Sequence, residues 1–177
     1  RDGVPNSPYK DEAGGLSGKP LTHAATQTVK TLASELNGAL PIIAAGGIAD
    51  GAGMAAAFAV GAEGIQMGTR FVSSKESPVH ENFKNYIFDS SLNGTWILNK
   101  TSKPVIRALR TDFTQKILEA GEMEMSAMGK IQDLYFGGDM NAAPALSGQS
   151  VGLIDGMKSA KEIIDDAKAL EEAGAFC

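Results

Sequence analysis

Apolar residues first fall into helical register at Ala25, Val29, Leu32, Ala33 and Leu36. That recurrence predicts a helix, with Asn37-Gly38 as its stop. Leu40 to Ala45 (LPIIAA) is then apolar without interruption and ends in Gly46-Gly47, as a parallel strand buried on both faces reads. Asp50 to Gly61 (DGAGMAAAFAVG) is an alanine-rich helix whose small residues suit close packing on a sheet. Gly64 to Val72 (GIQMGTRFV) reads as a second short strand, ending at a Gly-Thr turn. Residues 22–72 therefore alternate helix, strand, helix, strand with short connections, which argues for an α/β protein with parallel strands.

The pattern changes after residue 72. KESPVHENFKNYI is polar with scattered aromatics. Ile106, Leu109, Phe113 and Ile117 read as one face of a helix that stops at Gly121. Residues 122–150 are rich in Met, Gly and Ala and read as irregular. Ser159 and Glu162 have capping-box spacing, and Ile163, Ala167 and Leu170 form the buried stripe of a last helix. Residues 1–20 read as a loop, with Pro5, Pro8 and Pro20. The expected organisation is a partial barrel over residues 1–75, carrying the candidate site, and a mainly helical segment over residues 76–177 that packs on it.

Charge and composition narrow the partners. The net charge of −5 comes with no Lys/Arg-rich run, which argues against nucleic acid. The single Cys177 allows no intramolecular disulfide and fits a reducing, cytoplasmic setting. With two histidines and one cysteine, a structural zinc site is not expected. No apolar run is long enough for a transmembrane segment. The polar, turn-rich start at Arg1 is no signal peptide; it reads as the middle of a loop, so a fragment is expected.

Glycines mark the candidate chemistry. Gly14, Gly15 and Gly18 crowd EAGGLSGKPL; Gly46-Gly47 and Gly68-Thr69 each close a strand, 22 positions apart from first glycine to Gly68. A strand ending in glycines and leading into a helix aims backbone N–H groups at one point, and phosphate is the natural ligand. That spacing is near one unit of a (β/α)8 barrel, in which phosphate often sits in the loops after the last two strands. Alone, either pair reads equally well as a tight strand–helix turn. His23 reads as a helix-start residue, His80 as structural or substrate-adjacent, and Lys75-Glu76 as a solvated turn from which Lys75 could reach the phosphate region. The methionines, including Met123, Met125 and Met128, read as core or lid filling.

The segment PIIAAGGIADGAGMAAAFAVGAEGIQMGTRFVSSKESPVHENFK, Pro41 to Lys84, resembles nitronate monooxygenases and flavin-dependent enoyl-acyl-carrier-protein reductases. With SGQSVGLID, Ser147 to Asp155, the resemblance covers about residues 41–164. It implies the C-terminal part of an FMN-binding (β/α)8 barrel. It also implies that Gly46, Gly47, Gly68 and Thr69 hold the FMN phosphate, with Gln149 and its neighbours near the flavin.

The opening stretch departs from that pattern. The corresponding motif reads EAGGH-x-G with a catalytic histidine, where this chain has Leu16. Residues 1–48, with RDGV, EAGGLSGKPL and ALPIIAAGGI, instead resemble the membrane-associated class of dihydroorotate dehydrogenases, also FMN barrels. That resemblance places Gly14, Gly15 and Gly18 beside the flavin. The chain thus reads as two related families joined near PIIAAGG. Three functions remain open. One is an FMN-dependent oxidoreductase that oxidises alkyl nitronates or reduces enoyl thioesters. The second is a quinone-linked dihydroorotate dehydrogenase. The third is a non-catalytic half-barrel that binds phosphate. Neither family's usual catalytic base is visible, and only two barrel strands are evident. A homo-oligomer or a separate N-terminal half is therefore expected.

Overall fold

In the computed structural model, residues 19–101 and 104–172 are described. The first helix, α1, is Lys19–Leu36. Asn37 (φ +43°) and Gly38 (φ +79°) end it in the left-handed region, as the Asn-Gly pair predicts. Strand β1 (Ile43–Ala45) leads through Gly46-Gly47 into α2 (Gly51–Ala59), and β2 (Gly64–Gln66) returns parallel to β1. The register pairs Ile43 with Gly64, Ala44 with Ile65 and Ala45 with Gln66. The expected helix–strand–helix–strand order is present.

The second strand is shorter than its apolar run suggests. It stops at Gln66, and Gly68 turns the chain at φ −94°, ψ −73°. Val72 N–H donates to the Gly68 carbonyl (2.9 Å), so Thr69–Val72 is a single helical turn, α3, and not strand. The Arg70 side chain on this turn is buried.

Downstream come α4 (Glu81–Phe88) and an antiparallel hairpin of β3 (Thr95–Leu98) and β4 (Ile106–Leu109). Next are α5 (Asp112–Ala120), a 3-10 turn at Met125–Met128, α6 (Ile131–Tyr135), a second 3-10 turn at Gln149–Leu153, and α7 (Ala160–Glu172). The hairpin corrects the expectation of one helix through Ile106, Leu109, Phe113 and Ile117. Ile106 and Leu109 lie in β4, while Phe113 and Ile117 lie in α5. Thr111 separates them. Its backbone is extended (φ −115°, ψ 166°) and its hydroxyl accepts from Thr114 N–H (3.2 Å), while Thr114 Oγ1 accepts from Thr111 N–H (2.8 Å). This reciprocal cap starts a helix at that point and ends the strand before it. Gly121, at φ +83°, stops α5 as expected.

A third extended segment joins the hairpin. Leu109 N–H donates to Ala145 O (2.8 Å), Ala108 bridges Leu146, and Ser147 N–H donates to Arg107 O (3.2 Å). One core lies beneath the hairpin and α4, built on Phe83, Ile87, Leu109, Leu134 and Val151, with Phe83 stacked on Tyr135 at 4.9 Å. A second lies between the parallel pair and the helices behind it: Ile48, Met54, Met67 and Ile163. There α7 crosses the start of α2 at Gly51, where an added Cβ would stand 2.5 Å from the Asp166 carbonyl carbon. The Ser159–Glu162 box forms as expected: Glu162 accepts from Ser159 N–H (2.6 Å) and Oγ (2.8 Å), and Ser159 Oγ accepts from Glu162 N–H (3.1 Å). The Leu170 side chain lies outside the described residues.

Candidate functional site

The parallel register decides where the glycines meet. Ala45 and Gln66 are partners, so Gly46-Gly47 and Met67-Gly68 leave the same, C-terminal edge of the sheet side by side. Gly46 N–H donates to Gln66 O (3.5 Å), which ties the two turns together. Gly46 (φ +83°) and Gly47 (φ +76°) are both left-handed, a backbone that side chains rarely adopt. An added Cβ at Gly46, Gly47 or Gly68 meets nothing within 4 Å, so the turns face open space. The N–H groups of Gly47, Gly68 and Thr69 donate to no acceptor among the described residues. A cluster of unpaired backbone N–H groups is the chemistry that suits an anion.

The start of α2 contributes less than the sequence suggests. Asp50 is its N-cap, and the carboxylate accepts Gly53 N–H (2.7 Å). That negative charge already faces the helix end, so an anion would rest on the turns rather than on the α2 dipole. A D-G pair before an alanine-rich helix is an N-cap signal that the sequence carried.

Thr69 joins a distant segment to this edge. Its Oγ1 accepts from Gly148 N–H (2.8 Å) and stands 3.5 Å from Ser147 Oγ. Gln149, half-buried, opens the 3-10 turn that packs on α3. Gly46, Gly47, Gly68 and Thr69 are thus gathered on one edge with the approach to Gln149 beside them. Gly14, Gly15, Leu16 and Gly18 lie outside the described residues.

Behind the site sits Arg70, which the sequence reading passed over. It is 3% exposed, and Nη1 donates to Gly156 O (2.8 Å). Burial pushes its pKa down, while Asp155, Asp166 and Asp50 hold it up, so the cation is balanced by carboxylates around it. Its role is to tie α3 to the segment before α7.

A profile of the nitronate monooxygenase family matches residues 11–168. The chain belongs to this family. Among solved structures it is similar to FabK from Thermotoga maritima, at 39% identity and a TM-score of 0.70, covering 86% of this chain and 51% of that one. It is also similar in fold to nitroalkane oxidase from Streptomyces ansochromogenes, at 20% identity and a TM-score of 0.66, covering 93% of this chain and 50% of that one. Dihydroorotate dehydrogenase (quinone) of Pseudomonas aeruginosa is 49% identical over 81 residues, 46% of this chain and 24% of that protein. The 81 matched residues exceed the 48 that carried this resemblance in sequence, so the match runs past Ile48. The chain spans about half the length of the structures it matches, and a quarter of that dehydrogenase. Its parallel pair and flanking helices are accordingly part of a (β/α)8 barrel.

In this nitronate monooxygenase-family chain, the remaining candidates have structural work. His80 caps α4: its Nδ1 accepts Asn82 N–H (3.1 Å), and the ring packs so closely on Gly138 that it leaves no room for a side chain there. Lys75 turns toward α7 and pairs with Glu162 (3.1 Å). Lys84, 4% exposed, donates to Ser74 O and Ser77 O (both 2.8 Å) and fastens the loop that follows α3. His23 lies within α1. No helix among the described residues is long and apolar enough to cross a membrane.

Proposed function

We propose that the paired glycine turns hold the phosphate of FMN, and that the protein is an FMN-dependent oxidoreductase that oxidises alkyl nitronates or reduces enoyl thioesters. The register of β1 on β2 carries this reading, because it sets Gly46-Gly47 beside Gly68-Thr69. The N–H groups of Gly47, Gly68 and Thr69 bind the phosphate oxygens. Gly15, Gly18 and Gln149 approach the flavin, which supplies the electron transfer when bound. Residues 1–75 carry the cofactor loops and residues 76–177 cover them. Further polypeptide, a missing N-terminal half or a second copy, completes the sheet. The lone cysteine fits a cytoplasmic setting.

A second reading is a quinone-linked dihydroorotate dehydrogenase, favoured by the 49% identity over 81 residues. No catalytic base is assigned on either reading, so the 177-residue chain should hold flavin better than it turns over.

The test is flavin retention. The purified chain, loaded with FMN and dialysed, should stay yellow, and Gly47→Val should bind FMN at least about tenfold more weakly, a loss of about 1.4 kcal/mol. A branched side chain there meets the left-handed backbone and fills the phosphate space. Equal retention by both proteins would sink the phosphate assignment. Turnover of propyl-2-nitronate, a crotonyl thioester and dihydroorotate should all be near background; robust FMN-dependent turnover of one would name the substrate class.

A further inference from the structure

We propose that Thr69 couples phosphate binding at the glycine turns to the seating of the Ser147–Gln149 segment over them. The proposal rests on the phosphate reading above and adds a positioning role for one hydroxyl.

A threonine hydroxyl has one proton to donate and two lone pairs to accept with. Here the Thr69 oxygen faces the covering segment. Gly148 N–H donates to Thr69 Oγ1 at 2.8 Å, and Ser147 Oγ–H reaches it at 3.5 Å. Among the described residues the acceptor recorded near the hydroxyl proton is Ser147 Oγ, whose 3.5 Å is long for a hydroxyl pair, and Thr69 is the first residue after Gly68, at the edge where the free N–H groups gather. A phosphate oxygen there would accept that proton. Donation to an anion polarises the O–H bond and makes its oxygen a better acceptor, so the Gly148 bond tightens as the anion binds. By linkage, a seated segment tightens anion binding by the same factor.

The segment is built to transmit this. Ser147 N–H donates to Arg107 O, and Ala108 bridges Leu146, so Gly148 hangs from the β4 edge by a short, hydrogen-bonded lead. Gly148 eases this approach: an added Cβ would stand 3.2 Å from Thr69 Oγ1, a tight contact from which the hydroxyl would have to give way. Gln149, the next residue, moves with it. The Thr69 hydroxyl therefore fixes how near Gln149 approaches whatever the turns hold.

Amide hydrogen exchange by NMR tests this on the full chain, with Thr69→Val, Thr69→Ser and Ser147→Ala compared with the unsubstituted protein. Without anion, Gly148 N–H should exchange about two- to tenfold faster in Thr69→Val, the range expected for one neutral hydrogen bond. Thr69→Ser should restore the original rate, and Ser147→Ala should leave it unchanged. Exchange in α4 serves as the folding control. Inorganic phosphate and FMN, added separately, should slow Gly148 exchange further in the unsubstituted and Thr69→Ser proteins but not in Thr69→Val. Slowing by FMN alone would mean that the flavin, and not phosphate chemistry, drives the coupling, and would overturn it as stated. An unchanged Gly148 rate in anion-free Thr69→Val would overturn the Thr69–Gly148 link. Equal slowing by anion in Thr69→Val would overturn the coupling. Should neither anion shift the Gly46, Gly47 and Gly68 amide resonances, the phosphate reading and the coupling fail together, while the anion-free comparison still decides the link.

Discussion

In the parallel pair, Ile43 is 63% exposed and Leu40, just before the strand, 61%; in the hairpin, Leu98 and Leu109 are fully buried. Both strand pairs are mostly apolar, four of six residues in the parallel pair and six of eight in the hairpin, so composition does not explain the difference. Topology does. The β3–β4 hairpin gains a third extended segment at residues 145–147, and α4 and α5 supply cores to its two faces. The β1–β2 pair is covered by α2 and α7 on one side, and neither strand has a further partner among the described residues. Behind β2 a groove of about 550 Å³, lined by Met54, Phe58, Ile65, Phe71 and Ile164, is open as well. Parallel strands are composed for burial on both faces. One region owns its core, and the other has half of one.

The sharpest way to break this comparison is to truncate one side chain in each region. Phe83→Ala, which removes a fully buried ring, should cost about 3–5 kcal/mol in urea unfolding. Ile43→Ala should change stability by less than about 0.5 kcal/mol, as exposed substitutions do. A cost for Ile43→Ala of 2 kcal/mol or more, to borrow the range of about 2–5 kcal/mol for a buried Ile, would show the exposed face to be covered in solution. Sedimentation velocity would then show whether a second copy covers it.

A smaller effect is expected where the parallel pair does have cover. Gly51→Ala drives a methyl into the Asp166 backbone. Overpacking of this kind costs about 1–3 kcal/mol. Amides of α7 should lose protection while those of α4 keep theirs. Unchanged α7 protection would mean that α7 does not rest on Gly51.

The smallest effect is at the rim. Hydrogen bonds from Ser159, then Lys75, hold the Glu162 carboxyl at about 2, below its ordinary 4.5. A carboxyl depressed by folding adds stability that is complete above the unfolded value and fades as pH falls toward the folded one. The stability difference between the unsubstituted protein and Glu162→Gln should therefore be level from pH 7 to about 5, and shrink between about 4.5 and about 2. A difference that grows on acidification would refute the assignment.

The parallel unit was legible because each step carries its own signal. LPIIAA is an uninterrupted apolar run, Asn37-Gly38 a stop, and Gly46-Gly47 a turn. The hairpin was not, because Ile106, Leu109, Phe113 and Ile117 happen to keep helical spacing across a strand and a helix. The signal against one helix lay in Thr111-Asp112-Phe113-Thr114, a cap in mid-pattern. The strand at Gly64 was overextended for a related reason: an apolar run marks a segment composed for burial, not one that is straight. For the candidate site, sequence singled out the glycines and Gln149 but not what joins them, because the Thr69–Gly148 contact is a tertiary accident of two short turns. Arg70 carried no signal, since a single arginine after Gly-Thr reads the same exposed or buried.

The Thr69–Gly148 hydrogen bond spans 79 positions of the chain. Closing a loop of that length costs an entropy of about 4 kcal/mol, several times what one neutral hydrogen bond returns. The bond cannot bring its own ends together. The closure has to be carried by Ala145 and Leu146 pairing on β4 and by Ala143 and Val151 entering the core. The candidate site therefore rests on a framework that does not contain its glycines.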